Sequence, residues 1–240
     1  MEKKKTVIVT GASQGIGAAV VHAFLDRGYN VVATSRSVSK SGFKPSSNLA
    51  LVDGDIGKES TAEKVVKTAV SKFGSIDHVV NSAGIYSAKP FTDYSAEDFR
   101  SFVSTNLEGF IFVTQLAVKQ ILKQGTGGSV TSITAALADN PIAGAPSSIP
   151  MITKGGLNAV TISLASEYAK QHIRFNAVAP GVVDTPLHKD NPKDLLKTFS
   201  PMGTISESKD VAEAVVYLTE ARQVTGEVLH VDGGAHVGKW

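Results

Sequence analysis

The chain has 240 residues, 42% of them hydrophobic, and a net charge of +2, which suits one globular domain. Lysines and arginines are scattered without a basic stripe or aromatic ladder, which argues against a nucleic-acid partner, and no run of about 18 apolar residues is present to span a membrane. Cysteine is absent and the six histidines stand apart, so no disulfide and no metal site is expected.

Lys3-Lys4-Lys5 reads as a solvated tail. Gln14 and three glycines break the pattern a signal peptide would need, so the expected location is cytoplasmic. The first predicted strand, Thr6–Thr10, runs into Gly11-Ala12-Ser13-Gln14-Gly15-Ile16-Gly17 and then a helical pattern over 15–27. A buried strand, a glycine turn and a helix make a phosphate-binding unit. Gly11 permits the tight turn, and Gly15 and Gly17 remove side chains where a ligand or the strand comes close. Amides at the start of the helix, with its positive dipole end, face an anion such as a dinucleotide pyrophosphate.

Further strands are predicted at Asn30–Ser35, Leu49–Gly54, His78–Asn81, Gly128–Ile133, Ile173–Ala179 and Val228–Val231. Helical patterns lie near 60–72, 96–123, 152–170 and 209–220; Leu157, Val160, Leu164 and Tyr168 share one face of the third of these. Short Val- and Ile-rich runs alternating with helices predict an α/β fold. Its sheet would be Rossmann-like, doubly wound and parallel, with about seven strands and helices on both faces. Residues 134–151 and 184–206 read as loops beside a site.

Single positions carry two readings each. The second strand ends at Arg36, where a dinucleotide fold often has an acid for the ribose 2′-hydroxyl; an arginine there offers a fork to a 2′-phosphate, or is simply solvated. Asp55-Ile56 either receives an adenine, with Asp55 accepting from its amino group and Ile56 packing on the ring, or caps a turn. Asn81-Ser82-Ala83-Gly84 lets backbone approach a cofactor, or is a plain turn. Lys154 lies in an amphipathic helix, where a lysine is commonly solvated.

The glycine turn, Asp55-Ile56, Asn81-Ser82-Ala83-Gly84, Asn106, Lys154 and Pro180-Gly181 fall in the order and spacing of the short-chain dehydrogenase/reductase family, which the chain resembles from Val7 to Gly234. The resemblance implies a single NAD(P)-binding domain over 1–240, a small-molecule substrate and a homo-oligomer, tetramer or dimer. It places cofactor contacts at Gly11, Ser13, Gln14, Gly15, Ile16, Gly17, Arg36, Asp55, Ile56, Asn81, Ala83, Gly84 and Lys154, with Pro180, Gly181, Val183 and Thr185 beside the nicotinamide amide. Arg36 favours NADP(H) over NAD(H), although the second basic residue of strongly NADP-preferring members is replaced by Ser13-Gln14. Asn106 resembles the family asparagine that stabilises a helix kink and holds a relay water.

One departure stands out. Members of the family carry Tyr-x-x-x-Lys with a serine about 13 residues before the tyrosine; here Pro150 precedes Lys154 by four, and Ala135 takes the serine place. No tyrosine occurs between Tyr94 and Tyr168. Three outcomes are open. Another group handles the proton, with Lys154, Ser147, Ser148, Tyr86 and His188 as candidates and His188 the best by chemistry. Alternatively the substrate, an imine or activated alkene, needs no strong acid. Otherwise redox catalysis is lost and a nucleotide-binding regulatory or scaffold protein remains. A non-redox enzyme using the pocket as a shaped cavity is a further reading.

Overall fold

A computed structural model describes residues 4–237; Lys3 of the lysine run lies outside them. In chain order, β1 is Thr6–Thr10, α1 Gly15–Asp26, β2 Asn30–Ser35, β3 Leu49–Asp53, α2 Glu59–Phe73 and β4 His78–Asn81. Next come α3 Ala96–Phe102, a π-helical turn Val103–Glu108, α4 Gly109–Gln124, β5 Gly128–Ile133, α5 Ser148–Glu167 and β6 Ile173–Pro180. The chain closes with β7 Val183–Asp184, α6 Lys193–Lys197, β8 Ser206–Glu207, α7 Ser208–Glu220 and β9 Val228–Val231.

Seven strands form one parallel sheet in the order β3-β2-β1-β4-β5-β6-β9; β7 and β8 pair separately. In the register, Val7 faces Val31 and Ile8 faces Val32, so alternate residues feed opposite faces. Ile8, Val32, Val52, Val79 and Val130 pack under α2, α4 and α5. Val7, Val9, Val31, Ala33 and Val178 pack under α1 and α7. Strands buried on both faces read as continuous apolar runs, which is why their positions are visible in the sequence.

The differences from the sequence expectations are local. The third strand stops at Asp53 rather than Gly54, and the sixth runs on to Pro180. The pattern over 96–123 is interrupted at Val103–Glu108, where the hydrogen bonding widens to a π turn around buried Asn106. The fifth helix begins at Ser148, not 152, which shortens the preceding loop. Pro150 lies in its first turn, where its fixed φ suits the helix and its missing N–H has no helical acceptor. The segment 184–206 holds short elements, α6 among them, rather than loop alone. No helix among the described residues is long and apolar enough to cross a membrane.

The turn after β1 is a close-packed joint. Gly11 has φ +66, and a Cβ there would lie 2.7 Å from the Cα of Ala83 beyond β4. A Cβ on Gly17 would strike the carbonyl oxygen of Gly11, so α1 seats directly on the turn that feeds it. Gly156 in α5 faces open space. Gly17→Ala is expected to lower unfolding free energy by about 1–3 kcal/mol, and Gly156→Ala to raise it by about 0.5–1 kcal/mol; urea unfolding of the two variants checks the opposite signs.

Candidate active site

The carboxyl ends of the strands open onto two adjoining hollows. The first, of about 430 Å³, is a groove lined by Gly11, Ser13, Gln14, Gly15, Ile16 and Gly17 together with Arg36, Asp55, Ile56, Ala83 and Gly84. It lies where the order of strands reverses, between β1 and β4, the place where open α/β sheets take ligands. Gln14 at the N-cap of α1 makes no side-chain capping bond, and no acidic residue stands in the first turn. The leading amides of α1 therefore have no competing carboxylate, as an anion site requires.

Thr10 ties the groove together: its Oγ1 accepts from the amides of Ser82 and Ala83, each at 3.1 Å. Asp55 does accept from the amide of Gly57 at 3.0 Å, so it caps its turn as well as lining the groove. Arg36 is exposed at the end of β2 and makes no ion pair among the described residues. A cradle emptied of side chains by its glycines and uncapped helix amides together fit the pyrophosphate of a dinucleotide.

The second hollow, about 410 Å³, is mostly apolar; Leu137, Ile142, Met151, Leu196 and Phe199 line it, and no carboxylate does. It shares Ile16, Ser82, Gly84, Ile85, Thr185 and Leu187 with the groove. Lys154 reaches this seam. Its Nζ donates to the carbonyl of Ile133 at 2.7 Å and lies 3.2 Å from where a Cβ on Gly84 would be. Desolvation of the ammonium brings its pKa from 10.5 down to about 8. Asn106 is a brace: Oδ1 accepts from the amide of Ile85 at 2.9 Å, and Nδ2 donates to the Ile85 carbonyl at 3.2 Å and to Thr153 Oγ1 at 2.9 Å.

The remaining expected residues divide between the hollows. Pro180, Gly181, Val183 and His188 line the apolar cavity rather than the groove, and Thr185 lines both. His188 ends a short 3₁₀ turn, with its Nδ1 3.4 Å from Asn191 Oδ1. Asn81 lies in neither wall: it is buried, and its Nδ2 donates to Thr114 Oγ1 on α4 at 3.0 Å. Ala135 lines the cavity while the adjacent Thr134 hydroxyl is turned to the carbonyl of Val178. Ser148 is exposed, whereas Ser147 is buried and lies 2.6 Å from the hydroxyl of Tyr86. The pinning role of Thr10 is not legible in the sequence, because its partners lie over 70 residues away. The Leu195-Leu196 pair and Phe199 carried a helical apolar spacing that could have marked them as cavity wall.

A family model described as enoyl-(acyl carrier protein) reductase matches residues 11–236. The 3-oxoacyl-[acyl-carrier-protein] reductase of Bos taurus is 35% identical over 234 residues, spanning 96% of this chain and 97% of its own length. The chain belongs to the short-chain dehydrogenase/reductase family. Among solved structures, ElxO with NADP bound superposes with a TM-score of 0.89 at 29% identity, covering 98% of this chain and 100% of that one. The 3-ketoacyl-(acyl-carrier-protein) reductase from Brucella melitensis, complexed with NADH, gives 0.89 at 27%, covering 97% and 98%. The Rossmann-like architecture is thus shared over nearly the whole length of these chains.

The buried ammonium of Lys154 has a consequence for stability. Between pH of about 8 and 10.5 the unfolded chain still holds a proton that folded Lys154 has lost, so this group makes stability rise with pH across that window. Urea unfolding of the ligand-free protein near the two ends of the window, compared with Lys154→Met, measures the effect; the rise should be smaller in the variant by up to about 3 kcal/mol.

Proposed function

We propose that this chain is an NADP(H)-dependent oxidoreductase with a non-standard active site, moving hydride to or from a small organic substrate such as a carbonyl, an imine or an activated alkene. The observation that carries this reading is Lys154, whose ammonium stands at the seam between a dinucleotide-shaped groove and an apolar cavity. The oxidoreductase relatives support the class of reaction, and one of them is described with NADP, another with NADH.

In this reading the turn residues Gly11, Ser13, Gln14, Gly15, Ile16 and Gly17 take the pyrophosphate, and Arg36 takes the 2′-phosphate. Asp55 and Ile56 take the adenine, and Ala83 and Gly84 admit the cofactor backbone closely. Lys154 holds the nicotinamide ribose; Pro180, Gly181, Val183 and Thr185 border the nicotinamide amide. The cofactor supplies or accepts the hydride, and the protein supplies position, exclusion of water and a proton. Asn106 positions rather than reacts, by gripping Ile85 and Thr153 on either side of the seam. The cavity wall of Leu137, Ile142, Met151, Leu196 and Phe199 suits an uncharged apolar substrate. The proton-handling tyrosine and serine of the family are replaced by Pro150 and Ala135, so protonation falls to other groups on the wall, among them Tyr86, Lys154 and His188. A cytoplasmic homo-oligomer fits the family pattern.

The second reading, a catalytically silent nucleotide-binding protein in a homo- or hetero-oligomer, is favoured by Pro150 and Ala135, which carry no hydroxyl and which the family resemblance sets where members carry their tyrosine and serine. The two readings part on turnover. Loss of NADPH absorbance with a panel of ketones, imines and enones supports the oxidoreductase. Tight NADPH binding with no turnover by the lone protein supports the silent form. Calorimetry addresses the cofactor separately: Arg36→Ala should weaken NADPH binding roughly 10- to 100-fold, the loss of a charged hydrogen-bond pair, and leave NADH binding unchanged.

A further inference from the structure

We infer that Tyr86 donates the proton to a substrate carbonyl in this site and that Ser147 is its positioning residue. The inference rests on the oxidoreductase reading above. Tyr86 lines the apolar cavity, two residues beyond Gly84 at the seam. Its hydroxyl lies 2.6 Å from Ser147 Oγ, a contact across 61 positions of sequence. Both loops are held: Asn106 grips Ile85, the residue before Tyr86, and the amide of Lys89 donates to the carbonyl of Pro146, the residue before Ser147, at 3.0 Å.

Ser147 occupies the N-cap of α5, where a serine ordinarily accepts from an amide of the first turn. It makes no such bond here. The third helical residue is Pro150, which has no N–H to give. The proline thus does two things at once: it removes a side-chain acid and it releases the hydroxyl of Ser147 for another partner. Ser147 Oγ sends its single proton to the carbonyl of Ala145 at 3.0 Å, which leaves it an acceptor for Tyr86.

A carbonyl entering the cavity changes that arrangement. Tyr86 turns its proton to the ligand oxygen, and Ser147 turns its own proton from Ala145 to Tyr86 Oη, so the phenolate that forms is received by a buried donor. The carbonyl carbon takes hydride from a reduced nicotinamide, the Tyr86 O–H bond breaks as its proton passes to the carbonyl oxygen, and the phenolate recovers a proton from solvent after the alcohol leaves. His188 is the weaker choice, since its ring partner among the described residues is Asn191, at 3.4 Å in an exposed turn of the same segment.

The test uses the full chain with ethyl acetoacetate and benzylacetone as probes. Tyr86→Phe should lower kcat about 100-fold, the effect of losing a positioned acid, with KM and the NADPH dissociation constant within about threefold of the parent and the melting temperature within about 2 °C. Ser147→Ala should lower kcat about tenfold, and Ser147→Thr should restore it. A reading without turnover accompanies these. The infrared carbonyl stretch of benzylacetone bound beside NADP⁺ should lie at lower frequency in the parent than in Tyr86→Phe. Parent turnover that Tyr86→Phe leaves intact, or a loss confined to KM and melting temperature, overturns this inference while sparing the oxidoreductase reading. A parent that binds NADPH yet turns over neither probe nor any ketone, imine or enone overturns both.

Discussion

The contact between Gly17 and the carbonyl of Gly11 sets where α1 begins relative to β1. With no side chain at either position, α1 can begin on top of the turn leaving β1. Its first amides are left without a side-chain cap. A single methyl would push the helix away and open a gap beneath it. The same economy binds β1 to β4: Gly11 abuts Ala83, and Thr10 Oγ1 collects two amides from beyond β4. The joint of β1, α1 and β4 beneath the groove is therefore backbone packed on backbone, pinned by the Thr10 hydroxyl.

A second joint lies at the π turn. Widening the helix between α3 and α4 brings Asn106 inward, where its amide group satisfies both backbone groups of Ile85 and a hydroxyl of α5. Three segments far apart in sequence are thereby registered to one another: the chain leaving β4, the long helix before β5 and the helix that carries Lys154. Lys154 then needs only one anchor of its own, the carbonyl of Ile133, to hold an ammonium in an apolar wall. Rigid elements rather than loops carry this part of the site, which favours precision of placement.

Much of this was legible in the sequence because the physics behind it is local. Buried parallel strands announce themselves as short Val- and Ile-rich runs, and all seven sheet strands lie within a residue of where composition puts them. The glycine turn is readable because only glycine tolerates its φ and its crowding. Less was readable where the determinant is a distant partner. A helical period continues through Val103–Glu108 without marking the widened turn. Asn81 carries a polar amide that looks available, yet Thr114 on a helix 33 residues later takes it. Tyr86 and Ser147 each stood out as isolated hydroxyls, but nothing in their spacing shows that they meet. The early start of α5 was hidden by Pro150, a residue that forbids helix interiors and favours helix beginnings.

The stretch between β7 and β8 holds one more lesson. Two residues of parallel ladder, Val183–Asp184 against Ser206–Glu207, close its base, while α6 and Phe199 form part of the apolar wall. None of its residues belongs to the seven-stranded sheet. The same stretch also reaches the groove: Pro186 and Leu187 line it, and the Thr185 methyl lies 3.1 Å from where a Cβ on Gly15 would be. A change in its length would therefore be felt in both hollows at once.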